Sequence, residues 1–123
     1  MALPYMRPAM QLSLPVPAGT KSGDPVIVGA IAGVAVTNIG EGGNAATHAS
    51  VDTSPNLWEY EVKNAIAGPG TPVYATARAG ATAPILDTTA GGKPLWGYTV
   101  PKAGESGVRA GTSGVTTVCP AQI

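Results

Sequence analysis

Residues 25–36 read Pro-Val-Ile-Val-Gly-Ala-Ile-Ala-Gly-Val-Ala-Val, the longest apolar run in the chain. A membrane-spanning helix needs 18 or more such residues, and this run stops well short. It contains Gly29-x-x-x-Gly33, a spacing by which helices pack in lipid. Yet Val26, Ile27, Val28, Ile31, Val34 and Val36 are β-branched and broken by glycine. That pattern predicts two short buried strands, Val26–Val28 and Ile31–Val36.

The rest of the chain agrees. Trp58, Tyr60 and Val62 alternate with Glu59, Glu61 and Lys63, the period-two signature of a strand with one wet face. Further strands are expected at Ala46–Val51, Leu57–Val62, Val73–Thr76, Leu95–Val100 and Val115–Cys119. Turns are expected at Gly40–Asn44, Gly68–Gly70 and Gly91–Gly92. Ala77–Thr89 is small-sided and of low complexity and reads as a loop. Only two runs free of Gly and Pro pass ten residues, Asn44–Ser54 and Asn56–Ala67. Neither offers an apolar face at helical spacing, which rules out a bundle of long helices. Strand spacing of about 8–15 residues suits a small barrel or sandwich. A short echo runs through the pattern. Gly23-Asp-Pro-Val26 recurs as Gly70-Thr-Pro-Val73, and each precedes a glycine-containing strand, at Gly33 and at Gly97. The echo is compatible with a barrel built from two similar β units.

Composition bounds the function. The 123 residues argue for one domain plus a tail. Gly 17 and Pro 12 make about 24% of the chain, roughly twice ordinary usage. Hydrophobic residues are 44%, too many for a disordered polar chain. Charged residues are 11%, less than half of the usual ~25%. Seven basic residues balance seven acidic ones, and the basic ones are scattered, so no footprint for nucleic acid or anionic membrane exists. Cys119 is the single cysteine, which excludes an internal disulfide scaffold. Prolines interrupt any apolar signal region near the N-terminus, and no Asn-x-Ser/Thr sequon is present, so the chain is expected to be soluble and made inside the cell. So little charge hints that much of the surface meets a partner.

Residues 1–18 differ from the remainder. They hold Pro4, Pro8, Pro15 and Pro17 and all three methionines. Prolines favour an extended backbone, with a reach of roughly 55 Å at about 3.1 Å per residue. Leu3, Pro4, Tyr5, Met6, Met10, Leu12 and Leu14 make this an apolar arm, whereas a frayed terminus is normally polar. They are the candidate contacts to a partner or a neighbouring copy.

No active site is supported. His48, the only histidine, lies near Ser50, Asp52 and Ser54. Alternate residues of one strand point in parallel, not toward a common point as a catalytic triad requires. One His and one Cys exclude a multi-ligand zinc site. Gly40-x-Gly42-x-x-Ala45 matches a loose dinucleotide fingerprint, but a poor helix former follows, so a turn is expected. Lys93 precedes Pro94, which excludes a P-loop. No calcium loop is spelled out around Asp24, Asp52 or Asp87. No cofactor or metal is therefore expected. Trp58, Tyr60, Tyr74, Trp96 and Tyr98 all fall in expected strands; they organise the core first, with Trp58 or Trp96 as stacking platforms in a carbohydrate- or surface-binding module as the alternative.

The order of motifs resembles the small bacteriophage capsid decoration, or cement, proteins. The residues concerned are Lys21-Ser-Gly-Asp-Pro-Val-Ile-Val-Gly29, Ala32-Gly-Val-Ala-Val36, Trp58-Glu-Tyr-Glu-Val62, Gly70-Thr-Pro-Val-Tyr74 and Leu95-Trp-Gly-Tyr-Thr99. The resemblance covers about Lys21 to Cys119. It implies a non-enzymatic structural protein on the outer surface of a phage head, made in the host cytoplasm. It further implies binding to the major capsid protein, often as a homo-trimer, and reinforcement of joints between capsid subunits. The expected fold is all-β, a small Gly/Pro-rich β-barrel or β-tulip-like domain over residues 19–123 with an extended N-terminal arm over residues 1–18.

Overall fold

The computed structural model describes residues 11–101 and 111–121. Among them nine strands and no helix form. The first five are β1 (Gln11–Pro15), β2 (Pro25–Val28), β3 (Ile31–Ala35), β4 (His48–Asp52) and β5 (Trp58–Lys63). They are followed by β6 (Pro72–Thr76), β7 (Ile85–Asp87), β8 (Leu95–Thr99) and β9 (Ser113–Pro120). The apolar run at 25–36 is a tight hairpin, with Val28 opposite Ile31 and Val26 opposite Gly33. Gly29 turns the chain at a φ of 61°, which glycine reaches without the steric penalty of a Cβ.

Two sheets result. An open antiparallel sheet has the order β1-β4-β3-β2, and a closed barrel has the order β5-β7-β6-β8-β9. Every barrel pairing is antiparallel except β5 with β7. One apolar cluster joins the two sheets. It holds Ala32 and Val34 from β3 with Val62, Val73, Ala75, Leu86, Trp96 and Val118 from the barrel. A second cluster of Val26, Ala35 and Val51 lies under the open sheet, with Leu14 and Val16 packed against it. The expected all-β fold with a small barrel is the fold observed.

The sequence echo is a structural one. Gly23 donates its N–H to the Ala35 carbonyl at 2.6 Å, and Ala35 donates to the Asp24 carbonyl at 2.9 Å. Gly70 donates likewise to Thr99 at 2.7 Å, and Thr99 to Thr71 at 2.9 Å. Val26 faces Gly33 as Val73 faces Gly97. The match extends outward through Ala35, Val51 and Leu12 in one sheet and Thr99, Val118 and Trp58 in the other. The open sheet β1-β4-β3-β2 therefore repeats β5-β9-β8-β6. The second unit is closed by β7, which pairs with both β5 and β6.

A β-bulge sets the position of the largest core side chain. Val73 pairs with Gly97, but the next residue, Tyr74, pairs with Leu95. Trp96 is thus the extra residue on β8, and such a residue lets two consecutive side-chain positions face one side. Trp96 and Gly97 are both buried. The tryptophan fills the core, and a Cβ on Gly97 would run into the Cys119 carbonyl.

Two segments differ from expectation. Ala77–Thr89 is not wholly a loop, because Ile85–Asp87 forms β7. Ile85 and Leu86 supply the only large apolar side chains of that stretch, and Leu86 is buried in the core. In the segment 1–18, Gln11–Pro15 forms β1, paired with β4. Leu12 and Leu14 alternate there with exposed Gln11, Ser13 and Pro15. Its partner lies more than 30 residues away, so no adjacent hairpin announces it.

Candidate functional site

The candidate contacts of the arm divide. Leu3, Pro4, Tyr5, Met6 and Met10 lie outside the described residues. Leu12 and Leu14 are half-buried on one face of β1, with Leu14 against the second core cluster. Leu14 therefore holds the domain together, and its burial leaves it little surface to offer a partner.

The outer face of the barrel carries an apolar row that the sequence reading did not single out. Pro72, Tyr98 and Cys119 are neighbours across β6, β8 and β9. Leu57 precedes Trp58, which pairs with Val118, so it extends the row beside Cys119. Leu57 is 58% exposed and Tyr98 40%. None of the four side chains is charged. A period-two pattern broken by the bulge at Trp96 hid Tyr98, which would otherwise be assigned to the same inward face as Trp96.

Polar side chains lock the two sheets together. Arg78, beyond β6, makes a bidentate pair with Asp24, its Nε 2.6 Å from Oδ2 and its Nη2 3.2 Å from Oδ1. Both side chains are largely buried. Burial pushes the Asp24 carboxyl up, but the Arg78 hydrogen bond, the Lys21 backbone N–H and the nearby positive charges outweigh it and hold the pKa below its ordinary value. Beside them the Tyr60 hydroxyl donates to the Gly23 carbonyl at 2.5 Å. Burial, then the Asp24 charge, raises its pKa well above the ordinary tyrosine value, so it stays a donor. Trp96 Nε1 donates to the carbonyls of Val26 and Gly33, each at 3.1 Å. Tyr60 meets Trp96 edge to face, with ring centroids 5.9 Å apart. A recess beside this lock, lined by Pro17, Thr20, Ile27, Ala77 and Arg78 among others, has a volume of about 10 Å³. That admits roughly one water molecule, not a substrate.

A second hub is Asp87. It accepts from the Thr89 N–H at 2.8 Å, from Asn64 Nδ2 at 2.6 Å and from Lys93 Nζ at 3.1 Å. Burial raises its pKa, but these donors together bring it down to about 2. The hub closes the barrel where β5, β7 and the turn before β8 meet.

His48, Ser50 and Asp52 do share the outward face of β4, while Ala49 and Val51 are fully buried. They do not converge. His48 Nδ1 meets Thr47 Oγ1 at 2.9 Å, and Ser50 Oγ accepts from Asn44 at 3.0 Å. Asp52 accepts from the Ser54 N–H at 2.9 Å in a local turn. Gly40, Gly42 and Gly43 adopt left-handed turn conformations and lead into β4 with no helix. Among the described residues, no three His, Cys, Asp or Glu side chains gather as metal ligands. Cys119 is half-buried, and burial raises its thiol pKa, which keeps it protonated and weakly nucleophilic. Trp96 is fully buried and Trp58 is half-buried against the core, so neither is an exposed platform for a sugar ring.

A family model described as phage cement protein matches residues 6–115. No curated protein and no solved structure matches the chain. The matched span takes in β1 through β8 and the first residues of β9, and with it both repeated β units up to their last strand. The chain belongs to the phage cement protein family.

Proposed function

We propose that this chain is a non-enzymatic cement protein that binds the major capsid protein on the outer surface of a phage head and stabilises the joints between capsid subunits. The observation that carries this reading is the family match over residues 6–115. The physical features agree with it. A charge content of 11% leaves few ions to desolvate when the surface is covered, and a buried unpaired charge costs several kcal/mol. The uncharged row of Pro72, Tyr98, Cys119 and Leu57 is suited to burial against protein. Leu3, Pro4, Tyr5, Met6 and Met10 are the arm residues proposed to contact the capsid or a neighbouring copy. Three copies would gather around a three-fold or quasi-three-fold position. Many weak contacts repeated over a shell give avidity without one tight site.

Cryo-electron microscopy of the phage particle that encodes this chain tests the proposal. Density for a small β-barrel on the outer shell, three copies to a cluster, is the expected result. A shell without it, or density on the inner surface, would remove the reading.

A further inference from the structure

Among the described residues, one sheet edge of the repeated architecture lacks the strand that its counterpart has. In the second unit, β7 comes from the long connection between β6 and β8 and closes the barrel beside β5. In the first unit, β2 and β3 are joined by only Gly29 and Ala30, so among the described residues no strand from that connection covers β1. Among the described residues β1 pairs with β4 alone.

The hydrogen bonds show which groups this edge offers. Ser50, opposite Ser13, sends its backbone groups toward β3: its N–H meets Thr37 Oγ1 and its carbonyl accepts from Val36. His48, opposite Pro15, turns its backbone to Ala45 and Gly40. Antiparallel pairs alternate between bonded and non-bonded, so Leu12 and Leu14 bond β4, whereas Gln11, Ser13 and Pro15 direct their backbone groups outward. Edges of this kind are normally blunted by charge, a bulge or proline. Here the one proline, Pro15, stands at the end of the strand, clear of Ser13. Of the other two devices, Gln11-Leu-Ser-Leu-Pro15 has no charged side chain and no bulge.

We infer that β1 pairs with β1 of a second copy, antiparallel about a two-fold axis through Ser13. The outward groups are self-complementary about that residue. Ser13 exchanges two N–H···O bonds with the partner's Ser13, and Gln11 donates its N–H to the carbonyl of the partner's Pro15, twice by symmetry. Pro15 lacks an N–H, but it stands where its absence loses only one bond per copy. Leu12 of each copy then lies beside Leu14 of the other, an apolar pair on one face, and no like charges meet. The result is one continuous eight-stranded sheet. Five residues a side bury far less than the ~1,200 Å² of a standard stable interface, so the pair is weak in solution and strengthened wherever two copies are held close together. On a shell, this contact would link copies of neighbouring three-fold clusters across a local two-fold.

Sedimentation equilibrium of the full chain over a range of concentration tests the inference. The weight-average mass is expected to climb from 12.2 kDa toward about twice that value, with the Ser13 amide gaining exchange protection as it does. Ser13→Pro removes an N–H that β4 does not use, and it should stay folded by circular dichroism and remain monomeric. Ser13→Ala removes only the hydroxyl bond to Asn44 and should dimerise like the parent. A chain that stays monomeric, or an oligomer indifferent to Ser13→Pro, overturns the inference. So does a full chain that stays monomeric while one lacking residues 1–10 dimerises, because the edge would then be covered by the chain's own N-terminus.

Discussion

Gly97 and Gly33 occupy equivalent places in the two β units and do the same work. Each lets a neighbouring strand approach closer than a side chain allows. A Cβ on Gly33 would lie 2.6 Å from the Asp52 carbonyl oxygen, and one on Gly97 would strike the Cys119 carbonyl. Both obstacles are backbone, which cannot swing aside. Gly97→Ala should therefore destabilise the fold by about 3 kcal/mol or more, at the upper end of overpacking effects. Gly68→Ala should change stability by less than about 0.5 kcal/mol, since no atom lies within 4 Å of its added Cβ. Urea unfolding midpoints of the two variants measure the contrast. The sequence showed a glycine inside each strand, but not the carbonyl that makes it necessary, because that carbonyl is contributed by a distant strand. Asp87 gives a pH prediction at the same scale. Its folded pKa of about 2 lies below its ordinary 3.8, so its contribution is present above about pH 4 and lost as pH falls toward 2. Thermal midpoints of the wild type should drop across that window, and Asp87→Asn should show a smaller drop.

Among the elements, β8 ties the halves of the molecule together. Its bulge turns Trp96 inward, and the indole N–H reaches carbonyls of both β2 and β3. Trp96→Phe would keep an aromatic ring but leave the carbonyls of Val26 and Gly33 without this donor and open a void. The expected loss is about 2–4 kcal/mol, combining an unmet buried acceptor with a cavity. Guanidinium unfolding, followed by circular dichroism because one of the two tryptophans is removed, measures it. Seven of the nine strands were legible from β-branched and aromatic runs bounded by glycine, proline or aspartate. Those signals are local, and they placed all seven, β2 to β6, β8 and β9, within a residue or two at each end. The strands that escaped have non-local causes. β7 is three residues long and has one buried side chain, too short for a period to show. β1 is spelled with two leucines, two polar residues and a proline. Its Pro15 is tolerated because it opposes His48 with the missing N–H on the outward side, the position that edge strands leave open to proline.

At the scale of the whole molecule, the boundary between arm and domain decides how the arm should be tested. The sequence drew it at residue 18, where the proline-rich composition ends. The structure has β1 beginning at Gln11, with Leu14 and Val16 packed on Val26, Ala35 and Val51. The arm's apolar composition was legible, whereas its partner in the sheet was not, since β1 and β4 meet only once the intervening hairpin has folded. Removing residues 1–18 would strip a strand from the open sheet and uncover its core, so any loss of capsid attachment would be mixed with a loss of folding. Removing residues 1–10 takes away Leu3, Pro4, Tyr5, Met6 and Met10 and leaves every described strand intact. The shorter deletion should keep a melting temperature close to that of the parent, whereas the longer one should lower it by at least several degrees. At a loss of 1 kcal/mol the shift is already about 4–8 °C for a 60–100-residue domain. If the arm anchors the chain to the shell, capsids lacking the cement protein should take up the residue 1–10 deletion less well than the parent at equal concentration, measured by co-sedimentation. Equal uptake by the two would exclude the arm from attachment and leave the barrel's outer row of Pro72, Tyr98, Cys119 and Leu57 as the surface to mutate next.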